Sequence, residues 1–348
     1  MKNLATGMTR GILSVILILW SVAGAFASEK MDSCNRDRLV IAYVTSWSEV
    51  VPDPQLMTHI NYAFGHVSDS FDGIRVDNPA RLRKIVALRE GNPRLRVLLS
   101  IGGWTSGRFS EMAASDSTRA AFCRDARRIV DEFGLDGIDI DWEYPGSSEA
   151  GISSSDKDIE NFTSLMLELR RHLGRERLLT LATYAGGKYY DFKSFIDAVD
   201  FVNMMSYDMN RAPLHHAPLF SSGKFPGLSV EQAMKAHLDQ GVPASKLCMG
   251  LPFYGRGTAA TADYVDFRDL PLQLARFTRG YDPEGRVPYL SDSDGNPVLG
   301  FDDPESLTEK CRYALDNGLR GVMYWECAAD DASSSLAHLL RDLVLLPR

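Results

Sequence analysis

The sequence predicts a single (β/α)8 TIM barrel, and three observations predict it. Short apolar strand patterns alternate eight times with amphipathic helical patterns. The chain beyond a 27-residue leader is 321 residues (348 minus 27), which suits one large barrel domain over 28–348. The segment "DGIDIDWEYP" at 136–145 places three carboxylates at the end of the fourth strand pattern. Barrels of this type carry their chemistry at the C-terminal ends of the strands.

The elements follow in order. Lys2 and Arg10 precede the apolar run "GILSVILILWSVAGAFA", which ends in Ala25-Phe26-Ala27. This reads as a secretory signal peptide over 1–27, cut before Ser28, so the mature protein is expected to be secreted or periplasmic. An uncleaved anchor is the alternative. The leader holds two basic residues and no acidic one, so its removal takes the net charge from −8 to −10. An acidic chain is a poor partner for nucleic acid or anionic membrane, and a monomer without a stable membrane partner is expected. Cys34, Cys123, Cys248, Cys311 and Cys327 are widely spaced, with no CxxC. They read as buried thiols with one or two bridges rather than a metal site, and neither metal nor cofactor is expected.

Strands are predicted at 39–47, 59–67, 96–104, 137–145, 178–187, 201–209, 247–257 and 321–330. Helical patterns such as "TRAAFCRDARRIVDEFG" and "NFTSLMLELRRHLG" lie between them, each closed by a glycine. Most connections are short. The exception is about 258–301, between strand seven and its helix, where Asp294-Gly295 reads as a hairpin turn. This segment is expected to be a small insert on the barrel rim.

In the acidic segment, Asp139, Asp141 and Glu143 alternate with Ile138, Ile140 and Trp142. On a strand the three acids share one face at roughly 6.6 Å spacing, while the apolar residues face covering helices. Neighbouring anions in a partly buried site repel, so at least one should hold a proton at neutral pH. An acid kept protonated beside a carboxylate is what acid catalysis at an acetal needs. A calcium loop also spaces Asp at alternate positions, but it wants a glycine at its sixth position and a loop rather than an Ile-rich strand. A solvated acidic edge strand would not be flanked by residues that look buried on both sides.

Other groups gather at strand ends. Ser100, Gly102 and Trp104 of "SIGGW" share parity, so small residues leave space beside the carboxylates. Tyr207 and Asp208 end strand six, and Trp325 ends strand eight. Tyr43, Trp47, Tyr144, Tyr184 and Tyr254 add rings. Aromatic faces and carboxylates converging in a groove suit a pyranose, whose C–H face stacks on rings while acids act on the glycosidic oxygen. Met204 and Met205 read as packing.

The chain resembles the chitinases of glycoside hydrolase family 18 over essentially 39–345. The resemblance rests on "SIGGW", "DGIDIDWEYP", "MMSYD", "GLPFYGRG" and "GVMYWE", in the family's order. It implies a substrate-assisted retaining mechanism on chitin or chito-oligosaccharides. Glu143 would be the acid, and Asp141 would orient the substrate acetamide. Asp139 would share a proton with Asp141, with Ser100 bonded into that pair. Tyr207 would donate to the acetamide oxygen, Asp208 would support the distorted sugar, and Trp325 would floor its subsite. The rim segment looks like a shortened insertion domain of the deep-groove members. Two rival readings are an endo-β-N-acetylglucosaminidase trimming N-glycans and a chitinase-like lectin. Lectins of this family usually lose the acid, whereas Glu143 is present.

Overall fold

The computed structural model describes residues 38–347. The leader and Cys34 lie outside the described residues. Eight parallel strands close into a barrel in the order β1 (Leu39–Thr45), β14 (Gly321–Trp325), β8 (Leu247–Pro252), β7 (Phe201–Met205), β6 (Leu178–Tyr184), β5 (Gly137–Asp141), β4 (Arg96–Gly102) and β2 (His59–Val67). The ring closes because β1 pairs with both β14 and β2. A short strand β3 (Ile74–Val76), not expected from the sequence, adds antiparallel to β2.

The alternation on β5 sorts as its residue types require. Trp142 is buried between Phe109, stacked at 5.2 Å, and Phe162 at 6.0 Å, both on covering helices (Phe109–Ala114 and Asp158–Leu173). Asp139 and Asp141 therefore face inward. The helix Asp116–Phe133 ends at Gly134, whose φ of 67° is the left-handed cap that glycine accepts without a Cβ penalty.

Three expectations are corrected. Strand β5 ends at Asp141, so Glu143 stands two residues beyond the strand rather than on it. The segment 46–58 after β1 contains turns and no helix, so the first unit lacks its covering helix. The predicted seventh strand divides at Phe253, whose buried ring stacks on Tyr324 at 4.3 Å. The insert therefore begins at Tyr254, not 258.

That insert is a five-stranded antiparallel sheet: β9 (Tyr254–Gly257), β10 (Tyr264–Asp266), β11 (Thr278–Asp282), β12 (Val287–Ser291) and β13 (Pro297–Gly300). The turn between β12 and β13 carries Gly295 at φ 83°, as a hairpin needs. It has a core of its own, built on Val265, Leu290, Val298, Leu299 and Phe301. At its exit Asp302 meets Lys310 of the helix Pro304–Asp316 at 2.5 Å, with both side chains fully buried. Cys123 and Cys248 are buried thiols. Among the described residues no helix is long and apolar enough to cross a membrane.

Candidate active site

The floor of the site is a set of polar side chains on inward-facing strand positions. Register places Ser100 beside Asp139 and Gly102 beside Asp141 on β4 and β5. A Cβ on Gly102 would meet the Asp141 carbonyl oxygen at 1.9 Å, so only glycine lets β4 come this close. Asp139 is fully buried. It accepts hydrogen bonds from Tyr43 (2.8 Å), Ser100 (2.7 Å), Thr180 (2.6 Å) and Asn203 (3.2 Å). Burial raises its pKa, and the four donors oppose that rise.

Asp141 is also buried, but its Oδ1 has no hydrogen-bond partner among the described residues. Burial, then the charges of Glu143 and Asp139, push its pKa well up. Glu143 is half-buried, and its pKa is pushed up to about 7. Burial is the main cause; the Tyr144 hydroxyl pulls the other way and Asp208 adds to the rise. Tyr207 follows β7, and burial first, then Asp141 and Glu143, hold its phenol protonated. Among the described residues its hydroxyl meets only the Met323 sulfur, at 3.8 Å, so it is a donor with little to hold it.

Asp208 sits beside it in a left-handed conformation, φ 53°. Burial alone would raise its pKa, but Arg256 and His216 outweigh burial and hold the carboxyl well below its usual range. Arg256 grips it with two bonds of 2.7 Å, and His216 Nδ1 lies at 3.2 Å. Trp325, at the end of β14, stacks on Phe64 at 5.8 Å and tilts against Tyr43 at 5.6 Å. A cavity of about 780 Å³ opens beside it, lined by Trp47, Tyr264, Asp266, Arg268 and Glu326 among others. The carboxylate row does not line this cavity; Trp325 joins the two.

The predicted aromatics divide. Trp47 and Trp104 stand 64% and 55% exposed on loops, and Tyr184 is half-buried. Tyr144 is buried, stacked on Tyr189 at 5.3 Å and edge-on to Tyr184. Tyr43 and Tyr254 do not offer a stacking face. Tyr43 is 1% exposed and spends its hydroxyl on Asp139. Tyr254 is enclosed by Tyr264 at 4.3 Å, His216 at 5.1 Å and Tyr207 at 6.1 Å. Ser100 is likewise fully buried and serves Asp139 rather than a ligand. Among the described residues the side-chain donors to Asp139 are the four named above. Sequence reasoning missed Thr180, Asn203, His216 and Arg256. Thr180 and Asn203 had a signal: each is a polar side chain inside an apolar strand pattern.

A model of glycosyl hydrolases family 18 matches residues 39–330. Chitinase A1 of Niallia circulans is 31% identical across 89% of this chain and 50% of its own length. Chitotriosidase-1 of Mus musculus is 28% identical across 94% of this chain and 78% of its own. The chain thus spans half the length of the bacterial relative. Among solved structures, a family 18 N-acetylglucosaminidase from Paenibacillus barengoltzii superposes with a TM-score of 0.79 at 32% identity, covering 88% of this chain and 99% of that one. The Group IV chitinase of Ostrinia furnacalis in complex with allosamidin gives 0.79 at 29%, covering 88% and 97%. With the barrel, the inward acidic row and these likenesses together, the chain belongs to glycoside hydrolase family 18.

Proposed function

We propose that this protein is a retaining hydrolase of β-1,4-linked N-acetylglucosamine chains, acting through the substrate's own acetamide. The observation that carries the reading is the buried, unpartnered Oδ1 of Asp141 between Asp139 and Glu143, across from the loosely held Tyr207 hydroxyl. A buried carboxyl oxygen without a donor is costly unless a ligand supplies one, and an acetamide N–H is such a donor.

Glu143 protonates the glycosidic oxygen as the C–O bond breaks. The acetamide carbonyl oxygen attacks the anomeric carbon, giving an oxazolinium ion. Asp141 accepts the acetamide N–H, and Tyr207 donates to the carbonyl oxygen. The Glu143 carboxylate then takes a proton from water, which opens the ring from the side the leaving group vacated. Two inversions give net retention. Asp208, fixed as an anion by Arg256, steadies the distorted sugar, and Trp325 stacks beneath it.

Export directed by residues 1–27 belongs to the same proposal, since the substrate is an extracellular polymer or its fragments. The test is chitotetraose against a high-mannose glycopeptide, with products followed by NMR. Rapid cleavage of the tetramer with initial β-anomer release is expected. Initial α-anomer would overturn the mechanism, and preference for the glycopeptide would make N-glycans the substrate.

A further inference from the structure

The cavity beside Trp325 has the volume of a ligand pocket, about 780 Å³, and the Trp47 and Trp325 rings suit it to a sugar whatever its charge. Glu143 protonates the leaving oxygen, so the departing part of the chain lies on the Glu143 side. The carboxylate row does not line the cavity. The cavity therefore takes the unit before the cut sugar, toward the non-reducing end.

Its walls carry three carboxylates, Glu49, Asp266 and Glu326, against one guanidinium, Arg268. Arg268 is spent on Asp266, at 2.5 Å to Oδ2, and Asp266 Oδ1 takes no bond among the described residues. Thr45 Oγ1 (3.1 Å) and the Ala328 N–H (3.2 Å) both donate to Oε2 of Glu326. Its Oε1 takes no bond among the described residues. Burial raises the pKa of both acids; at Glu326 the Asp266 charge adds to the rise, and at Asp266 Arg268 opposes it. Negative charge is thus held here at a cost, with one cation to offset it. The acids are not grouped as metal ligands among the described residues, and a sugar site calls for a cation carried by a sugar.

We infer that this cavity selects a deacetylated, cationic sugar, so that the preferred polymer is partly N-deacetylated chitin with glucosamine in the cavity and an acetylated unit on Trp325. The unit on Trp325 must keep its acetamide, because that group is the nucleophile. In the cavity an acetamide fits poorly: it brings one N–H donor and a carbonyl that carboxylates cannot serve. An ammonium brings three donors and a charge, which Oε1 of Glu326 and Oδ1 of Asp266 can accept. A tryptophan ring in the same wall favours a cation further.

The inference rests on the proposed function, and one substrate series separates the two. Three tetramers share the acetylated unit at the cut bond and differ only in the unit before it. That unit is glucosamine, glucose or N-acetylglucosamine, the last being chitotetraose; glucose is the neutral control for a small substituent. Mass spectra of the products report which bond is cut. In low salt, kcat/KM for the glucosamine tetramer should exceed that for either neutral one about tenfold, as a hydrogen bond to a charged group gives. At about 1 M salt the advantage over glucose should fall below about threefold. Glu326→Gln should remove most of it, and Arg268→Gln should enlarge it. Asp266→Asn, which also frees Arg268, should reverse it. Each readout is a ratio within one preparation, so a partly misfolded variant still reports it. A glucosamine tetramer cleaved no faster than either neutral one overturns the inference, and so does an advantage that neither salt nor Asp266→Asn alters. With chitotetraose still cleaved, the proposed function stands in both cases; failure to cleave any of the three tetramers overturns that function instead.

Discussion

At the floor of the barrel, Asp139 is fully buried and receives side-chain donors from four strands. At the rim, Trp47 is 64% exposed on a loop and Arg256 reaches Asp208 from an added sheet. The floor positions atoms to fractions of an ångström, because each strand is fixed by two neighbours. The rim offers surface, and its contacts depend on one loop or one hairpin. Chemistry should therefore fail by large factors when the floor is changed. Changes at the rim should alter stability or chain-length preference and leave the bond-breaking step nearly intact.

The largest expected effect is on the floor side. Glu143→Gln keeps size and hydrogen bonding but removes the acid, and turnover should fall at least about a thousandfold, or about 4 kcal/mol in barrier. Oligosaccharide binding and melting temperature should hold. On the proposed mechanism the acid form is the active one, so activity should be lost as pH rises through about 7, where Glu143 deprotonates. Stopped turnover assays between pH 4 and 9 check both, and near-normal rates in Glu143→Gln would sink the assignment.

Next comes the joint of the insert. Lys310→Met leaves Asp302 buried without its cation, with only the Ser306 hydroxyl at 2.7 Å. Breaking a fully buried pair from one side should cost about 3 kcal/mol of stability. Urea unfolding measures that loss, while kcat of the folded fraction should stay within about twofold. A large loss of kcat would mean that insert and floor are coupled, and the contrast drawn above would be wrong.

The same contrast explains what was legible in the sequence. Strand alternation exposes inward and outward positions, so Asp139, Asp141 and their apolar partners Ile138 and Ile140 sort correctly from period two alone. Glu143 lies past the end of β5, so the alternation that singled it out did not fix its place on the strand, and its role as the acid came from the resemblance. The misreadings of Tyr43 and Tyr254 share one cause. A ring near a strand end faces either the cleft or the interior, and sequence cannot tell which until the neighbouring strands are placed. Arg256 escaped because its partner, Asp208, lies 48 positions away and the pairing depends on β9 leaving the barrel. Insert strands of three to five residues carry too little periodicity to be read singly.

The smallest expected effect separates two tryptophans that lie 6.5 Å apart. Trp325 is half-buried, braced by Phe64 and Tyr43 beside the carboxylate row, whereas Trp47 has no such support on its outer face. A ring stacked under the sugar that undergoes reaction contributes more in the distorted state than in the resting one, so Trp325→Ala should lower kcat as well as raise KM. A ring under a more distant sugar holds substrate and transition state equally, which changes KM and leaves kcat alone. One exposed aromatic contact is worth about 1 kcal/mol, so Trp47→Ala should raise KM for chitotetraose about fivefold. The effect should vanish on the shortest substrate that is still cleaved, because no sugar then reaches Trp47. Initial-rate series on oligomers of two to six sugars measure it. If Trp47→Ala lowers kcat, or weakens the shortest and longest substrates equally, Trp47 belongs with the floor and the boundary between the two regions must be moved outward.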